Sequence, residues 1–147
     1  MIHGLDTGFL VAAEVAEHAA HAHARAILSE RVAAGDQLAI APQVLVEFIH
    51  IVTDGRRFST PLPISDAIRL AEQWWSAREM RQVFPSDGTM RQFLDWLRRH
   101  ALGRKRLLDT LLAATYSEAG ISSLLTTNPG DFAVFGGFAC VVPGSAP

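Results

Sequence analysis

The sequence predicts an α/β protein in which helices cover both faces of a short, mainly parallel sheet, giving a three-layer α/β/α sandwich. Short apolar runs that suit buried strands alternate with longer segments of helical periodicity along the whole chain. We predict strands at residues 1–5, 38–41, 81–85, 121–126 and 139–142. Strands that are separated by helices in this way pair in parallel, because each crossover returns the chain to the edge where the previous strand began.

The helical segments carry recognisable start signals. Pro42 suits the first turn of a helix, and Ser86 or Asp87 can cap the helix that follows the third strand. We predict helices at residues 9–13, 17–34, 42–53, 65–77, 86–100 and 109–119. The periodicity of the fifth helix places four side chains on its inner face: Met90, Phe93, Leu94 and Leu97.

One domain is expected, because 147 residues fit a single hydrophobic core. We place this domain at residues 1–142 and interpret residues 143–147, which read Pro-Gly-Ser-Ala-Pro, as a flexible tail. The apolar fraction of 49% is high and the charged fraction of 19% is low for a globular chain. We therefore expect a partner to cover part of the surface.

Composition excludes several classes of protein. No apolar run reaches the roughly eighteen residues that span a bilayer, and an acid stands near the amino terminus where a signal peptide carries bases, so we expect a cytoplasmic protein. With Cys140 as its single cysteine, the chain can form no internal disulfide and no Cys-based zinc site. A net charge of −2 argues against binding nucleic acid through bulk electrostatic attraction.

Three carboxylates interrupt segments that are otherwise apolar. Asp6 follows the first strand, Glu47 lies in the helix PQVLVEFIHIVT, and Asp109 lies in the run RLLDTLLAA. Each needs a partner, because burying an unpaired charge costs several kcal/mol. Asp109 can be satisfied by the free N–H groups of its own helix end, and Glu47 can point outwards beside His50. These local explanations stay open, although the same anomaly recurs three times.

A fourth acid, Asp131, follows the strand at 121–126 and the turn Asn128-Pro129-Gly130. Groups at the carboxyl ends of parallel strands share one edge of the sheet, so the four acids can converge. Clustered carboxylates repel one another unless a cation lies between them, and oxygen ligands favour Mg²⁺ or Mn²⁺. Such a metal site suits hydrolysis of a phosphodiester bond, because the metal activates water and neutralises the developing charge.

Four short motifs in this order and spacing resemble the PIN-domain family, and most closely its VapC-like toxins. The motifs are LDTGFL around Asp6, VLVEF around Glu47, LLDTLLAATYSEAG around Asp109 and LLTTNPGDF around Asp131. The resemblance covers residues 2–142, nearly the whole chain. It implies a PIN-like domain that cleaves RNA with Mg²⁺ or Mn²⁺ and is neutralised by a small antitoxin. We also expect a homodimer.

The resemblance also implies roles for individual residues. The metal-binding and catalytic acids would be Asp6, Glu47, Asp109 and Asp131. Thr7 and Thr126 match hydroxyl positions that support the cluster or a substrate phosphate. Many members carry an additional Asp where this chain has Asn128, whose amide can orient water but brings no charge.

Contacts to the RNA backbone must be local, since the net charge is negative. The basic candidates are Arg56, Arg57, Arg104, Lys105 and Arg106. Clusters of this size are also common on solvated surfaces, and Arg106 can instead pair with the neighbours of Asp109. A negatively charged protein with an acidic centre favours RNA whose fold presents one unpaired linkage, such as transfer or ribosomal RNA.

Other interpretations fit the sequence less well. Asp6-Thr7-Gly8 is also the active-site triplet of aspartic proteases, but those enzymes need an all-β fold, whereas an Ala-rich helical segment follows here. A phosphatase with Asp6 as its nucleophile normally has a second acid where Gly8 stands. A further alternative is a PIN-like module that only binds RNA or protein. The presence of all four acids argues against it. No zinc-site partner accompanies the histidines of the Ala-rich helix, His18, His21 and His23.

Overall fold

The computed structural model describes residues 1–144, so the last three residues of the predicted tail, 145–147, lie outside the described residues. The strands are β1 (Ile2–Leu5), β2 (Gln37–Ile40), β3 (Met80–Gln82), β4 (Ser123–Leu125) and β5 (Ala139–Val141). The helices are α1 (Thr7–Glu14), α2 (His21–Ala33), α3 (Pro42–Val52), α4 (Ile64–Trp75), α5 (Asp87–Arg99), α6 (Leu107–Glu118) and α7 (Gly130–Ala133). A 3-10 turn, Arg104–Arg106, leads directly into α6.

The strands form one parallel sheet in the order β3-β2-β1-β4-β5. His3 of β1 is in register with Leu38 of β2 and with Ser123 of β4, so β1 is the central strand. The predicted α/β fold is confirmed. The strand order reverses direction between β1 and β4, and in open α/β sheets the crevice outside the carboxyl ends of such strands is the usual position of a ligand site.

The helices form two groups, one on each face of the sheet. On one face, α1 packs against α2 and α3, and α3 packs against α4. On the other face, α5 packs against α6, and α6 contacts α7. This division follows from right-handed crossovers, because connections that move along the sheet in opposite directions must lie on opposite faces. Within residues 1–144, no helix is long and apolar enough to cross a membrane.

A fully buried tyrosine fixes the carboxyl ends of the two central strands. The Tyr116 hydroxyl donates to the main-chain oxygen of Leu5 at 2.6 Å and to that of Ala39 at 3.2 Å. Gly4 makes room for this ring, since a Cβ atom there would lie 2.9 Å from both the Tyr116 ring and the Leu124 side chain. The main chain is therefore held firmly at Leu5, immediately before Asp6.

Two helices differ from their predicted form beyond shifts of one or two residues at their ends. The Ala-rich helix α2 begins at His21 rather than at residue 17, because a turn at 17–20 precedes it. In α5 the prediction that Met90 and Leu94 face inward was wrong, since these side chains are 43% and 44% exposed. Trp96 is buried instead and stacks on Phe135 with ring centroids 4.6 Å apart. This contact joins two elements that are distant in the chain, so the local periodicity of α5 does not reveal it.

Candidate active site

The four predicted acids lie at the carboxyl edge of the sheet, on segments that meet beside β1 and β4. Asp6 is the residue between β1 and α1, and it caps α1. Its Oδ1 accepts from the main-chain N–H of Thr7 at 2.8 Å, and its Oδ2 accepts from the Thr126 hydroxyl at 2.7 Å. The side chain is only 7% exposed. Both carboxylate oxygens of Asp6 are therefore fixed, and no cationic side chain within residues 1–144 pairs with them.

Glu47 projects from α3 towards Asp6 rather than through the wet face of its helix. Its Oε2 accepts from the Thr7 hydroxyl at 3.3 Å, and its Oε1 accepts from the Gln43 amide at 3.3 Å. The exposed positions of this helix are instead Val46 and His50. The predicted alternative, that Glu47 points outwards beside His50, is therefore wrong.

Asp109 lies in the first turn of α6 and is 31% exposed. Its charged neighbour is Arg106, whose Nε lies 3.8 Å from the Asp109 Oδ2 atom. Asp131 is half-buried at the start of α7, and its main-chain carbonyl accepts a hydrogen bond from Arg106 Nη2. Arg106 thus contacts the segments that carry two of the four acids.

The environment makes these acids harder to ionise. Burial raises the pKa of Asp6 to about 6, and the charges of Glu47 and Asp131 add to the rise against its two hydrogen bonds. Burial also raises the pKa of Asp109 to about 6, with further contributions from Asp131 and Asp6, and the Arg106 guanidinium opposes the rise. Burial raises the pKa of Glu47 as well, and Asp109 contributes to that rise. The four carboxylates therefore act on one another electrostatically.

The cluster is not a preassembled metal site. Within residues 1–144, no three His, Cys, Asp or Glu side chains are arranged to hold a metal ion. This applies equally to the histidines of α2, in which His21 hydrogen-bonds the main-chain oxygen of Ala12 and His18 accepts from the N–H of Ala20. The structure brings the four acids to one edge, whereas their sharing of a single cation stays a prediction.

The other predicted residues at this edge support the acids. Thr126 is fully buried and bridges two segments, donating to Asp6 and accepting from the main-chain N–H of Asn128 at 3.0 Å. The Asn128 side chain is exposed, and its amide nitrogen would lie 3.8 Å from a Cβ atom built on Gly8. Asn128 therefore lies beside the cluster, at the start of α1.

The basic candidates fall into two groups. Arg104 and Lys105 are exposed in the 3-10 turn just before α6, and Arg106 ends that turn, so all three lie close to Asp109. Arg56 and Arg57 follow the far end of α3, and the adjoining Ser59 and Thr60 hydrogen-bond to Glu17 beyond the end of α1. Because α1 and α3 both start at the carboxyl edge, the Arg56–Arg57 pair lies at the opposite edge from the acids.

Sequence reasoning missed three residues of this site. Gln43 bridges two helices, since its amide donates to Glu47 and also to the main-chain oxygen of Leu108 at 3.0 Å. Gly8 leaves space for the Thr127 hydroxyl, which would lie 2.5 Å from a Cβ atom at that position. No local signal identifies Gln43 or Thr127, while Gly8 in the first turn of a helix was the available hint.

A cavity of about 530 Å³ lies away from the acids, beyond the end of α1. Its apolar lining includes Val15, Val52, Phe58 and Leu62, and Glu14 and Glu17 lie at its polar side. Glu14 accepts a hydrogen bond from the Trp74 indole at 2.7 Å, so its carboxylate already has a partner. This recess therefore lies on the α1–α4 face of the sheet and is separate from the acidic cluster.

Comparison with known proteins agrees with the fold and the motifs. The profile of the PIN domain matches residues 5–136, and the chain therefore belongs to the PIN-domain family. No curated protein sequence matches the chain significantly. The resemblance predicted from the four motifs is confirmed.

The chain is similar to solved structures of VapC toxins. Mycobacterium tuberculosis VapC20, a toxin that cleaves the sarcin-ricin loop, is 23% identical with a TM-score of 0.75, and the match covers 97% of this chain and 100% of that one. VapBC-1 from nontypeable Haemophilus influenzae is 18% identical with a TM-score of 0.68, covering 99% and 100%. VapBC2 from Rickettsia felis, bound to promoter DNA, is 18% identical with a TM-score of 0.66, covering 97% and 98%. At these identities the similarity establishes the fold.

Proposed function

We propose that this chain is a metal-dependent endoribonuclease of the toxin type, which acts in the cytoplasm and is held inactive by a cognate antitoxin. The observation that carries the proposal is the cluster of four acids, in which burial and mutual repulsion raise the pKa of Asp6 and of Asp109 to about 6. Perturbed acids of this kind concentrate at functional sites. The names of similar structures support the proposal, since one is a toxin that cleaves RNA's sarcin-ricin loop and others are toxin–antitoxin complexes.

The donor set fits a hard divalent cation, Mg²⁺ or Mn²⁺. All four side chains offer carboxylate oxygens, and their repulsion would be relieved by a positive charge placed among them. Because no three of them already form a metal site within residues 1–144, binding would require the side chains to reorient. When bound, the cation would supply water activation and charge neutralisation for phosphodiester hydrolysis.

The chain's own residues would orient the acids and admit the substrate. Thr126 and the N–H of Thr7 fix Asp6, and Thr7 and Gln43 hold Glu47 towards it. Asp109 is 31% exposed, whereas Asp6 is only 7% exposed, so the RNA phosphate would approach from the α6 side. Arg104 and Lys105 are exposed on that side and are the favoured contacts for flanking phosphates.

The proposed partner is an antitoxin that covers apolar surface. The apolar recess beyond α1, with Glu14 and Glu17 at its edge, suits a segment that carries both apolar and basic side chains. Glu17 accepts from the Ser59 hydroxyl at 2.6 Å, which fixes one wall of the recess. A homodimer, expected from the sequence, stays a prediction.

The decisive experiment compares wild type with Asp6→Ala in cleavage of a ribosomal hairpin, a transfer RNA and an unstructured RNA. We expect wild type to cleave a structured RNA with Mg²⁺ or Mn²⁺ and not with EDTA. Asp6→Ala should lose at least about 100-fold in rate, because even outer-shell changes at metal sites cost about 10–100-fold. Mg²⁺ should raise the melting temperature of wild type more than that of the variant.

Asp66→Ala is the matched control, since Asp66 is a surface aspartate on α4 that pairs only loosely with Arg69, at 4.0 Å. It should cleave RNA as wild type does. If Asp6→Ala retains wild-type cleavage, the acidic cluster is not the catalytic centre. If wild type binds RNA or a partner but cleaves nothing with either metal, the chain is a binding module of the PIN family instead.

A further inference from the structure

Arg106 differs from the basic residues next to it. Arg104 and Lys105 are exposed, whereas the Arg106 side chain is only 28% exposed and lies against the acidic cluster. A guanidinium is always charged and seeks several hydrogen-bond acceptors when it is removed from water. Its contacts therefore indicate what it does.

The strongest contact of Arg106 is to the main chain of the α7 segment. Its Nη2 donates to the carbonyl oxygen of Asp131, twenty-five residues away. Its own main-chain oxygen accepts from the Thr110 hydroxyl at 2.6 Å, which anchors Arg106 at the start of α6. The side chain thus ties the short helix α7 to the first turn of α6.

The second contact is to the carboxylate of Asp109, and its distance is too long for a hydrogen bond. Arg106 Nε lies 3.8 Å from the Asp109 Oδ2 atom, and this buried Nε finds no hydrogen-bond acceptor within residues 1–144. The guanidinium therefore binds the main chain next to one acid and lies beside the carboxylate of another without capping it. Both carboxylates stay available for a ligand.

We propose that Arg106 is a positioning residue that fixes the Asp131 segment relative to Asp109, and that it does not contact the RNA backbone. The proposal deepens the ribonuclease function and rests on it for the part that concerns activity. It depends on shape as well as charge, because only a planar guanidinium can reach the Asp131 carbonyl and lie beside Asp109 at the same time. Lysine keeps the charge but has a single donor head, so it should fail to replace Arg106.

The first test needs neither metal nor RNA. Hydrogen exchange of the amides of residues 130–135 should be faster in metal-free Arg106→Lys than in metal-free wild type, because the α7 segment loses its tether. Unchanged protection in Arg106→Lys and in Arg106→Ala would overturn the proposal. If protection falls but wild type neither binds metal nor cleaves RNA, the tether stands and the ribonuclease function is wrong.

The second test separates positioning from RNA contact. Mn²⁺ titrated calorimetrically into Arg106→Lys should bind about 10–100-fold more weakly than to wild type. The kcat for a cleaved RNA should fall while KM changes little, and free guanidinium should partly restore Arg106→Ala. A raised KM with unchanged kcat and unchanged Mn²⁺ affinity would identify Arg106 as an RNA contact and overturn the proposal, as would wild-type behaviour of Arg106→Lys.

Arg69 provides the matched control. It forms the same type of ion pair three residues from an aspartate, with Nη2 4.0 Å from Asp66, but the two side chains are well exposed. Arg69→Lys and Arg69→Ala should match wild type in exchange at 130–135, Mn²⁺ affinity and kcat. If the Arg69 and Arg106 variants have equal effects, then losing any arginine–aspartate ion pair changes these measurements. That result would overturn the positioning role of Arg106.

Discussion

Two groups of acidic and polar side chains lie at opposite edges of the same sheet. At the amino edge, the His3 Nδ1 atom lies 2.7 Å from the Ser123 hydroxyl, and its Nε2 lies 3.1 Å from the Asp36 carboxylate. Asp36 also accepts from the Met1 amino group at 2.9 Å. At the carboxyl edge, Asp6 and Asp109 lie among other acids. The charge of Asp36 is paired, whereas within residues 1–144 Asp6 has no cationic partner and Asp109 has only the distant Arg106 Nε, at 3.8 Å.

The pKa values record this difference. Hydrogen bonds from the Met1 amino group and then from His3 lower the pKa of Asp36, whereas burial raises the pKa of Asp6 to about 6. A paired acid stabilises the fold in its charged form, and an unpaired buried acid costs stability until a cation reaches it. The amino edge is therefore a structural network, whereas at the carboxyl edge the repulsion among the acids is left without a compensating charge beside Asp6.

The series Ser123, His3 and Asp36 contains the residue types of a hydrolase triad, but burial argues against that role. His3 is 1% exposed and Ser123 is 8% exposed, so no substrate can reach the hydroxyl. His3 and Ser123 are neighbours in register on adjacent strands, which explains their contact without any catalysis. The network holds β1, β4 and the start of β2 together.

The largest loss of stability should come from removing His3 from the network at the amino edge. His3→Ala removes a buried imidazole, leaves the Ser123 hydroxyl and the Asp36 carboxylate without that partner, and opens a cavity. We expect the free energy of unfolding to fall by about 2–4 kcal/mol in urea titrations. Cleavage of RNA per folded molecule should be kept.

His50→Ala is the control for that experiment, because His50 is exposed on α3. Its free energy of unfolding should stay within about 0.5 kcal/mol of wild type. Equal stability of the two histidine variants would show that the amino-edge network contributes nothing measurable.

Removing the charge of Asp6 at the carboxyl edge should have the opposite effect and raise the free energy of unfolding. Asp6 has a folded pKa of about 6, above its ordinary value of 3.8, so its contribution to stability is fully present below about pH 3.8 and is lost as the pH rises through about 6. A rise of this size corresponds to roughly 3 kcal/mol, at about 1.4 kcal/mol per pKa unit. Metal-free Asp6→Asn should therefore be more stable than wild type by about 1–3 kcal/mol at pH 8. At pH 4 the two should be nearly equal.

Urea unfolding in EDTA between pH 4 and pH 8 measures this difference, and Asp36→Asn is the matched variant at the other edge. The pKa of Asp36 is lowered, so its contribution is present above its ordinary pKa and is lost as the pH falls. Asp36→Asn should accordingly reduce stability at pH 8. A destabilised Asp6→Asn at pH 8 would contradict the view that Asp6 is an unpaired buried charge.

The smallest stability effect should come from Gly8→Ala, which separates stability from activity at the carboxyl edge. The new Cβ atom would lie 2.5 Å from the Thr127 hydroxyl, so the Thr127 side chain or the loop that carries it must shift. The helix propensity of Ala offsets part of this strain, so we expect a net change below about 1 kcal/mol. RNA cleavage should nevertheless fall, as a gel assay at matched concentration would show.

The double variant Gly8→Ala with Thr127→Ala removes the clashing hydroxyl. The double variant should cleave RNA faster than Gly8→Ala does. If Gly8→Ala cleaves RNA at the wild-type rate, the close approach of Thr127 to α1 has no part in arranging the site.

The fold class and most of the acidic site could be predicted from the amino-acid sequence. Strands and helices were predicted because their periodicities are local, and the Pro42 and Ser86 start signals fall where α3 and α5 begin. Asp6, Glu47 and Asp109 were found because each interrupts an apolar run, and this contrast is visible within a few residues. Asp131 was found because it follows the apolar run at 121–126 and the turn Asn128-Pro129-Gly130.

The contacts that orient the acids come from the packing of distant elements. The hydrogen bond from Thr126 to Asp6 joins residues 120 apart in the chain, and the bond from Gln43 to Leu108 joins residues 65 apart. The same packing turns Arg106 towards Asp131, while Arg56 and Arg57 lie at the other edge. Local periodicity reports which face of an element is apolar, but pairing between distant polar groups depends on how the packed elements align, and that alignment is fixed only when the core forms.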